Sequence, residues 1–205
     1  MKIGIIYYGL NNIFSICNAV NKIGFTYKIV SKNDDLSQFD GLILPGVGSF
    51  PKAMKALKKH ELDTKIVNFF KTGKPILAIC LGYQMLFEKS LEFSETEGLK
   101  ILKGKVIKFP KKESQKVPHI GWNKIMINKE NKILEKDDFF YFVHSYYPKI
   151  IDEKIILAYT KFGNLKFSSA ILKNNLLGCQ FHPEKSGKIG LNMIKKFFIK
   201  NVQKI

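Results

Sequence analysis

Pro75-Ile76-Leu77-Ala78-Ile79-Cys80-Leu81-Gly82-Tyr83-Gln84 holds the fold's main instruction. The apolar run from Pro75 to Ile79 reads as a buried strand. Cys80 follows at once, Gly82 comes two residues later, and Tyr83 to Phe87 has helix-forming character. A strand that ends in a nucleophile and turns sharply into a helix is a nucleophile elbow, written here with cysteine. The turn lifts the side chain clear of the sheet. A helix N-terminus behind it favours a thiolate, the reactive form of cysteine.

The elbow sits inside an alternating pattern. Lys2 to Tyr8 reads as a buried strand, and Asn12 is placed to cap a helix carrying Ile13, Ile16, Cys17, Val20 and Ile23 at helical spacing. Gly24 ends that helix, and Thr26 to Val30 is a second strand. Asp40 to Leu44 is a third strand, running into Pro45-Gly46-Val47-Gly48. Two glycines at a strand's carboxyl end let backbone approach a ligand, and ligands of open parallel sheets sit there. Helices are predicted over Lys52–Lys59 and Leu62–Thr72. This order argues a doubly wound parallel sheet.

Beyond Glu97 the pattern changes to short strand-like runs, at Ile101–Phe109, Lys124–Ile127, Phe139–Val143, Ile155–Tyr159 and Ser169–Leu172. They predict an antiparallel portion added to the parallel sheet. Lys111 to Lys116 reads as a solvated loop. Leu176 to Phe181 is a last strand, and Gly187 to Lys200 a closing helix. With 205 residues and no internal repeat or linker, residues 1–205 are expected to form one domain.

Composition narrows the function classes. Hydrophobic residues make up 45% of the chain, which places it among globular proteins. No apolar run reaches the ~18 residues of a membrane span. The first strand begins at Lys2, leaving no room for a signal peptide, and three cysteines without metal-type spacing fit a reducing cytoplasm. The net charge of +17 would suit nucleic acid, but all 34 basic residues are lysine. Base readers rely on arginine forks, which lysine cannot imitate. The excess reads as a composition bias rather than a nucleic-acid site.

A cysteine nucleophile needs a base. Of four histidines, His60 lies among charged neighbours and reads as a surface residue. His182 ends the last strand, Pro183 enforces an extended exit, and Glu184 can reach back to the ring. That is a base with its orienter, recognisable by role rather than chain order. Cys17 and Cys179 read as packing.

These residues carry a resemblance over the whole chain. Tyr8-Gly9-Leu10-Asn11-Asn12-Ile13, Pro45-Gly46-Val47-Gly48, Ile79-Cys80-Leu81-Gly82-Tyr83-Gln84, Val117-Pro118-His119-Ile120-Gly121-Trp122-Asn123, Tyr141-Phe142-Val143-His144-Ser145-Tyr146 and Gln180-Phe181-His182-Pro183-Glu184-Lys185-Ser186 are similar to the motifs of the class I (triad) glutamine amidotransferases. The Val117–Asn123 and His182–Ser186 stretches resemble more narrowly the members that work with a (β/α)8-barrel cyclase subunit in histidine biosynthesis. The resemblance implies a three-layer α/β/α, flavodoxin-like fold and a Cys80-His182-Glu184 triad that hydrolyses L-glutamine. It implies oxyanion donors at Leu81 and the Val47–Gly48 peptide. It also implies a substrate pocket built from Gly46, Gln84, Glu92, His144, Ser145 and Tyr146. Asn12, Trp122, Asn123, Tyr141 and Lys185 would face the cyclase partner. No cofactor, metal, nucleic acid or membrane is implied.

Asn11 and Lys100 stand where that family usually has glycine, and Tyr7 where aspartate is common. These departures touch the partner-facing rim rather than the triad. They leave open a sister role, supplying ammonia to amidinate sugars of surface polysaccharide or flagellin. A non-enzymatic binding protein on this fold would be expected to lack Cys80 or His182, and both are present.

Overall fold

Five apolar runs become the parallel half of one sheet: β1 (Lys2–Ile6), β2 (Thr26–Val30), β3 (Gly41–Leu44), β4 (Ile76–Ile79) and β13 (Leu176–Cys179). The computed structural model describes residues 1–9, 13–110 and 116–202. Asn11 and Asn12, and all but Lys116 of the Lys111–Lys116 loop, lie outside the described residues. β13 joins an antiparallel extension built of β12 (Leu165–Lys173), β11 (Ile156–Phe162), β8 (His119–Ile127) and β9 (Asp138–His144). The spatial order is β2-β1-β3-β4-β13-β12-β11-β8-β9.

Strand alternation sorts the parallel core into two layers. Ile43, Leu77 and Ile79 face α1 (Ile13–Lys22) and α5 (Gly187–Val202), packing with Val20, Ile194 and Phe198. Leu42, Leu44, Ile76 and Ala78 face the other way, onto α2 (Phe50–Lys59) and α3 (Leu62–Lys71), packing with Phe50, Leu57 and Ile66. All of these side chains are buried, each large one contributing roughly 1.5–3 kcal/mol. Cys17 and Cys179 lie in the first layer, as their positions predict. Among the described residues no helix is long and apolar enough to cross a membrane.

The structure departs from the sequence reading in several places. β1 stops at Ile6, leaving Tyr7 exposed while Tyr8 turns inward. α4 spans only Leu81–Met85, and Phe87 opens a strand, β5 (Phe87–Ser90), instead of extending the helix. β5 belongs to a second sheet of order β10-β7-β5-β6, with β6 (Thr96–Glu97), β7 (Leu102–Lys108) and β10 (Tyr146–Ile150). Only β7 carried enough alternation to be foreseen. β10 contains Pro148, which argues against a strand except at an edge, and the edge is where β10 lies. β8 starts at His119, so Trp122 sits within a strand rather than in a loop. Lys100 takes φ +56, the left-handed conformation that glycine adopts freely and other residues resist by about 1–2 kcal/mol. That explains why glycine suits the position.

Candidate active site

The three strands β3, β4 and β13 are parallel neighbours, so their carboxyl ends open on one edge. Cys80 follows β4 directly, His182 lies just past β13, and Gly46 lies just past β3. The β4–β13 ladder continues one residue further, with Cys80 N–H donating to the Cys179 carbonyl at 2.8 Å. The Cys80 carbonyl accepts from Gln84 N–H at 3.1 Å, the first turn of α4. Between these anchors Cys80 is held at φ +54 and ψ −110, a strained conformation for a residue with a side chain.

The glycines around it answer a steric demand. A Cβ on Gly82 would meet the Leu44 carbonyl oxygen at 1.9 Å. A Cβ on Gly46 would meet Gly82 N and Tyr8 Oη, each at 2.7 Å. The elbow therefore packs directly on the end of β3, and Tyr8 donates its hydroxyl proton to the Pro45 carbonyl at 3.0 Å. Gly46 was expected to line the substrate pocket. Instead it is a spacer under the elbow, and it does not border the cavity. Gly48, at φ +90 with open space where a Cβ would stand, does border it.

His182 Nδ1 and Glu184 Oε1 lie 2.8 Å apart, with both side chains almost wholly buried. Pro183 to Lys185 form a short 3-10 turn that folds the carboxylate back on the ring. Ser186, quoted in the motif but given no role, secures this turn. Its hydroxyl donates to the His182 carbonyl at 2.7 Å and accepts from Tyr141 N–H at 3.1 Å. His182 Nε2 is buried and makes no well-formed hydrogen bond, although the Cys80 sulfur is close enough to stabilise an imidazolium. Burial disfavours the charged ring, but Cys80 and Glu184 outweigh it and hold the His182 pKa at about 10. Orientation by a carboxylate on one side and a sulfur on the other is what a Cys-His proton shuttle needs.

A cavity of about 520 Å³ opens at this edge. Cys80, His182, Val47, Gly48 and Leu81 border its reacting end, and Gln84, Glu92, His144, Ser145 and Tyr146 border the rest. Gln84 and Glu92 are both buried, Gln84 on α4 and Glu92 beyond β5. Burial pushes the Glu92 carboxyl up, while the Phe50 N–H, 2.7 Å from Oε2, and Lys108 pull it back. Two bordering residues, Lys108 and Phe93, had no sequence signal of their own, and Pro118 and Val143 lay in quoted motifs without an assigned role. Behind the wall lies Gln180, which the motif includes without giving it a role. Its amide donates to Cys80 Sγ at 3.8 Å and accepts from Gln84 at 3.0 Å.

His119 and His144 form a buried pair rather than part of the triad. Their hydrogen bonds fix both tautomers. His144 Nδ1–H donates to the Tyr146 carbonyl at 2.8 Å, so its Nε2 accepts from His119 Nδ1–H at 3.0 Å. His119 Nε2 then accepts from Asn123 Nδ2 at 3.1 Å. Stacking on Phe142 and Phe162 completes the enclosure of His119. Burial depresses the His119 pKa to about 4 and that of His144 to about 3. Both lie below the unfolded value of about 6.5. The unfolded chain therefore binds more protons, and the stability these rings contribute is present above pH ~6.5 and lost as the pH falls through their folded values. Urea denaturation is expected to show stability declining below pH ~6.5. The limb should be shallower by up to about 1.4 kcal/mol per pH unit in His119→Phe. An unaltered limb in that variant would contradict the assignment.

On the sheet face beyond the pocket, Trp122 is 57% exposed and meets Tyr141 edge-on, their ring centroids 6.3 Å apart. Lys185 Nζ lies 6.0 Å from the Tyr141 ring centroid. Asn123 follows Trp122 in β8 and so points to the opposite face, where its amide is spent on His119 and the Lys161 carbonyl. Its expected place among partner-facing side chains is therefore corrected: it supports that surface from behind. His60 is half-buried at the end of α2, remote from this edge. Among the described residues, no group of three or more His, Cys, Asp or Glu is placed to hold a metal ion.

The family model described as glutamine amidotransferase class-I matches residues 5–201. The chain belongs to the class I glutamine amidotransferases. Among relatives of this amidotransferase is the imidazole glycerol phosphate synthase subunit HisH of Caldanaerobacter subterraneus, 45% identical over 198 residues, or 95% of this chain and 96% of that one. The subunit of the same name from Aquifex aeolicus is 45% identical over 201 residues, covering 96% of each chain. Solved structures give the same fold at low identity. A crystal structure described as a glutamine amidotransferase aligns with a TM-score of 0.76 at 16% identity over 98% of both chains. The Thermotoga maritima PurLQS structure aligns at 0.74 and 19% identity, covering 99% of this chain and 97% of that one.

Proposed function

We propose that this amidotransferase is the glutaminase subunit of an imidazole glycerol phosphate synthase, with residues 1–205 acting as one domain. It hydrolyses L-glutamine and passes the ammonia to a cyclase subunit. The observation that carries the chemistry is the convergence of Cys80 and His182 on one cavity, with the Glu184 carboxylate behind the ring. Near-full-length identity to relatives named for that synthase favours this role over sugar amidination.

In this reading the Cys80 thiolate attacks the side-chain carboxamide carbon of glutamine. The Leu81 N–H and the Val47–Gly48 peptide stabilise the resulting oxyanion. The His182 imidazolium gives its proton to the departing ammonia, leaving an enzyme thioester and a neutral ring. That ring then takes a proton from the water that cleaves the thioester. Glu184 holds the imidazole through both steps. Gln84, Glu92 and the His144–Tyr146 segment bind the amino-acid end of the substrate. Trp122, Tyr141 and Lys185 contact the cyclase. Asn12 belongs to the same proposed surface.

Gly48 lies at φ +90 with nothing within 4 Å of where a Cβ would stand, and a glycine there lets the Val47–Gly48 peptide reorient without a side chain in its way. The isolated chain is accordingly expected to be a poor glutaminase. Loss of one oxyanion donor costs roughly 10²–10³-fold in kcat, and a similar factor is expected to return on binding the cyclase. A pull-down to identify the barrel partner, followed by glutaminase assays with and without it, tests this. Full activity of the chain alone would remove the case for a gated donor. Capture of a partner encoded with sugar-modifying enzymes would replace the histidine-pathway role.

A further inference from the structure

Gln180 follows β13 directly, and its side chain is fully buried between Cys80 and Gln84. Its backbone is fixed as well, the N–H donating to the Ser169 carbonyl at 2.9 Å. The neighbours decide which way its amide points. The Tyr146 carbonyl can only accept, so the Gln84 atom 2.8 Å from it is Nε2, a donor. The same nitrogen lies 3.0 Å from the Gln180 amide, which must therefore turn its oxygen toward Gln84. That leaves the Gln180 Nε2 protons for the Cys80 sulfur, 3.8 Å away. Turning the amide over would set two buried NH2 groups against each other and an oxygen against the sulfur, leaving each without a partner.

A donor at that place favours one form of the sulfur. A thiolate only accepts, and Gln180 offers it an N–H. The Val143 carbonyl, 3.9 Å from Sγ, suits the protonated thiol instead. His182 also stabilises negative sulfur, but not at every stage. Glu184 holds its Nδ1, so Nε2 alone moves protons, and in thioester hydrolysis Nε2 faces the attacking water. In that step water adds to the thioester carbonyl carbon and gives one proton to His182. The C–S bond then breaks with its electron pair on sulfur. The product leaves as glutamate, its new carboxyl losing a proton to solvent. The charge that appears on sulfur is met by the Gln180 N–H, which stays in place throughout.

We propose that Gln180 is a catalytic residue of the second half-reaction, its buried N–H stabilising the Cys80 thiolate as it leaves the thioester. This deepens the glutaminase reading and rests on it. The effect falls unequally on the two halves. Acylation consumes the thiolate, so a bond to it in the free enzyme weakens as the new S–C bond forms. Without that bond the thiolate is scarcer but more nucleophilic, and the two effects oppose each other. Deacylation makes the bond only as charge develops, and an interaction stronger in the transition state than before it lowers the barrier.

The test compares the unaltered chain with Gln180→Met and Gln180→Glu, each assembled with its cyclase and mixed rapidly with L-glutamine. It reads ammonia, released on acylation, and glutamate, released on deacylation. Gln180→Met fills the space without a donor. It is expected to lower kcat about 10-fold, the worth of one hydrogen bond to a charged group. KM should fall with it, leaving kcat/KM, which acylation controls, nearly unchanged. An ammonia burst of about one equivalent per site should precede the steady state, with a glutamyl thioester on Cys80 in the quenched protein. Gln180→Glu keeps the shape, and its carboxylate repels the departing thiolate. It should show the same burst, easing as the pH falls and the carboxyl gains a proton to donate. Should Gln180→Met not assemble, Gln180→Glu carries the test alone. A variant that merely displaced Cys80 would lose kcat/KM and show no burst. That outcome, or an unchanged kcat, would overturn the proposal while leaving the glutaminase reading standing. Absence of glutamine turnover by the unaltered complex would overturn that reading, and this proposal with it.

Discussion

Cys80→Ala is expected to abolish glutamine hydrolysis while leaving the partnered synthase reaction intact when ammonium salt is added. Removing the nucleophile of a covalent mechanism lowers kcat by at least about 10⁴-fold, because the other site groups act through it. No second thiol can stand in. Cys179 is fully buried in the strand beside Cys80, and burial pushes its thiol well above the ordinary range. Cys17 lies on the buried face of α1, packed into the sheet's first layer. Ammonia assayed from glutamine and product formed from ammonium salt report separately on the two halves of the reaction. Residual hydrolysis above background in Cys80→Ala would place the nucleophile elsewhere and sink the elbow reading. Because the cyclase consumes the ammonia, loss of the ammonium-dependent reaction would point to a damaged cyclase subunit rather than to Cys80.

The triad could be read from the chain because each member has a local signature. Cys80 has an apolar run before it and a glycine after it, and His182 has proline and glutamate at fixed offsets. The parallel sheet was legible for a related reason: Leu77, Ile79, Ile43 and their neighbours form apolar runs bounded by glycine and proline. What stayed hidden depends on cross-strand neighbours. Lys108 acquires meaning only from pairing with Tyr146, on a strand whose Pro148 argues against it. Gln180 matters because β13 lies beside β4, bringing its amide to Cys80 and Gln84. The resemblance places Asn123 on the partner side, whereas alternation along β8 sends it inward to His119. The resemblance places Gly46 in the substrate pocket. The close approach of Gly82 gives it a different task.

That close approach makes Gly82→Ala a severe single-methyl change directly beneath the nucleophile. The new Cβ would lie 1.9 Å from the Leu44 carbonyl oxygen and 2.9 Å from its carbon. These are backbone atoms at the end of β3, and no rotamer change can move them aside. Either α4 must lift off β3 or β3 must retreat from β4, and both shift Cys80 against His182. Overpacking of this kind costs about 1–3 kcal/mol of stability. A displacement near 1 Å at a reacting group costs about 10²-fold in rate. The expected result is a variant that still folds, melts lower, and loses glutaminase activity by about 10²-fold or more. Gly73→Ala serves as the control. It adds a methyl to a residue at φ +81, between α3 and β4, with nothing within 4 Å of the new atom. It should lower stability by about 1–2 kcal/mol through backbone strain alone and leave kcat unchanged. The contrast separates loss of stability from loss of geometry. Should Gly82→Ala keep its kcat while melting as low as Gly73→Ala, the elbow would not depend on its contact with β3.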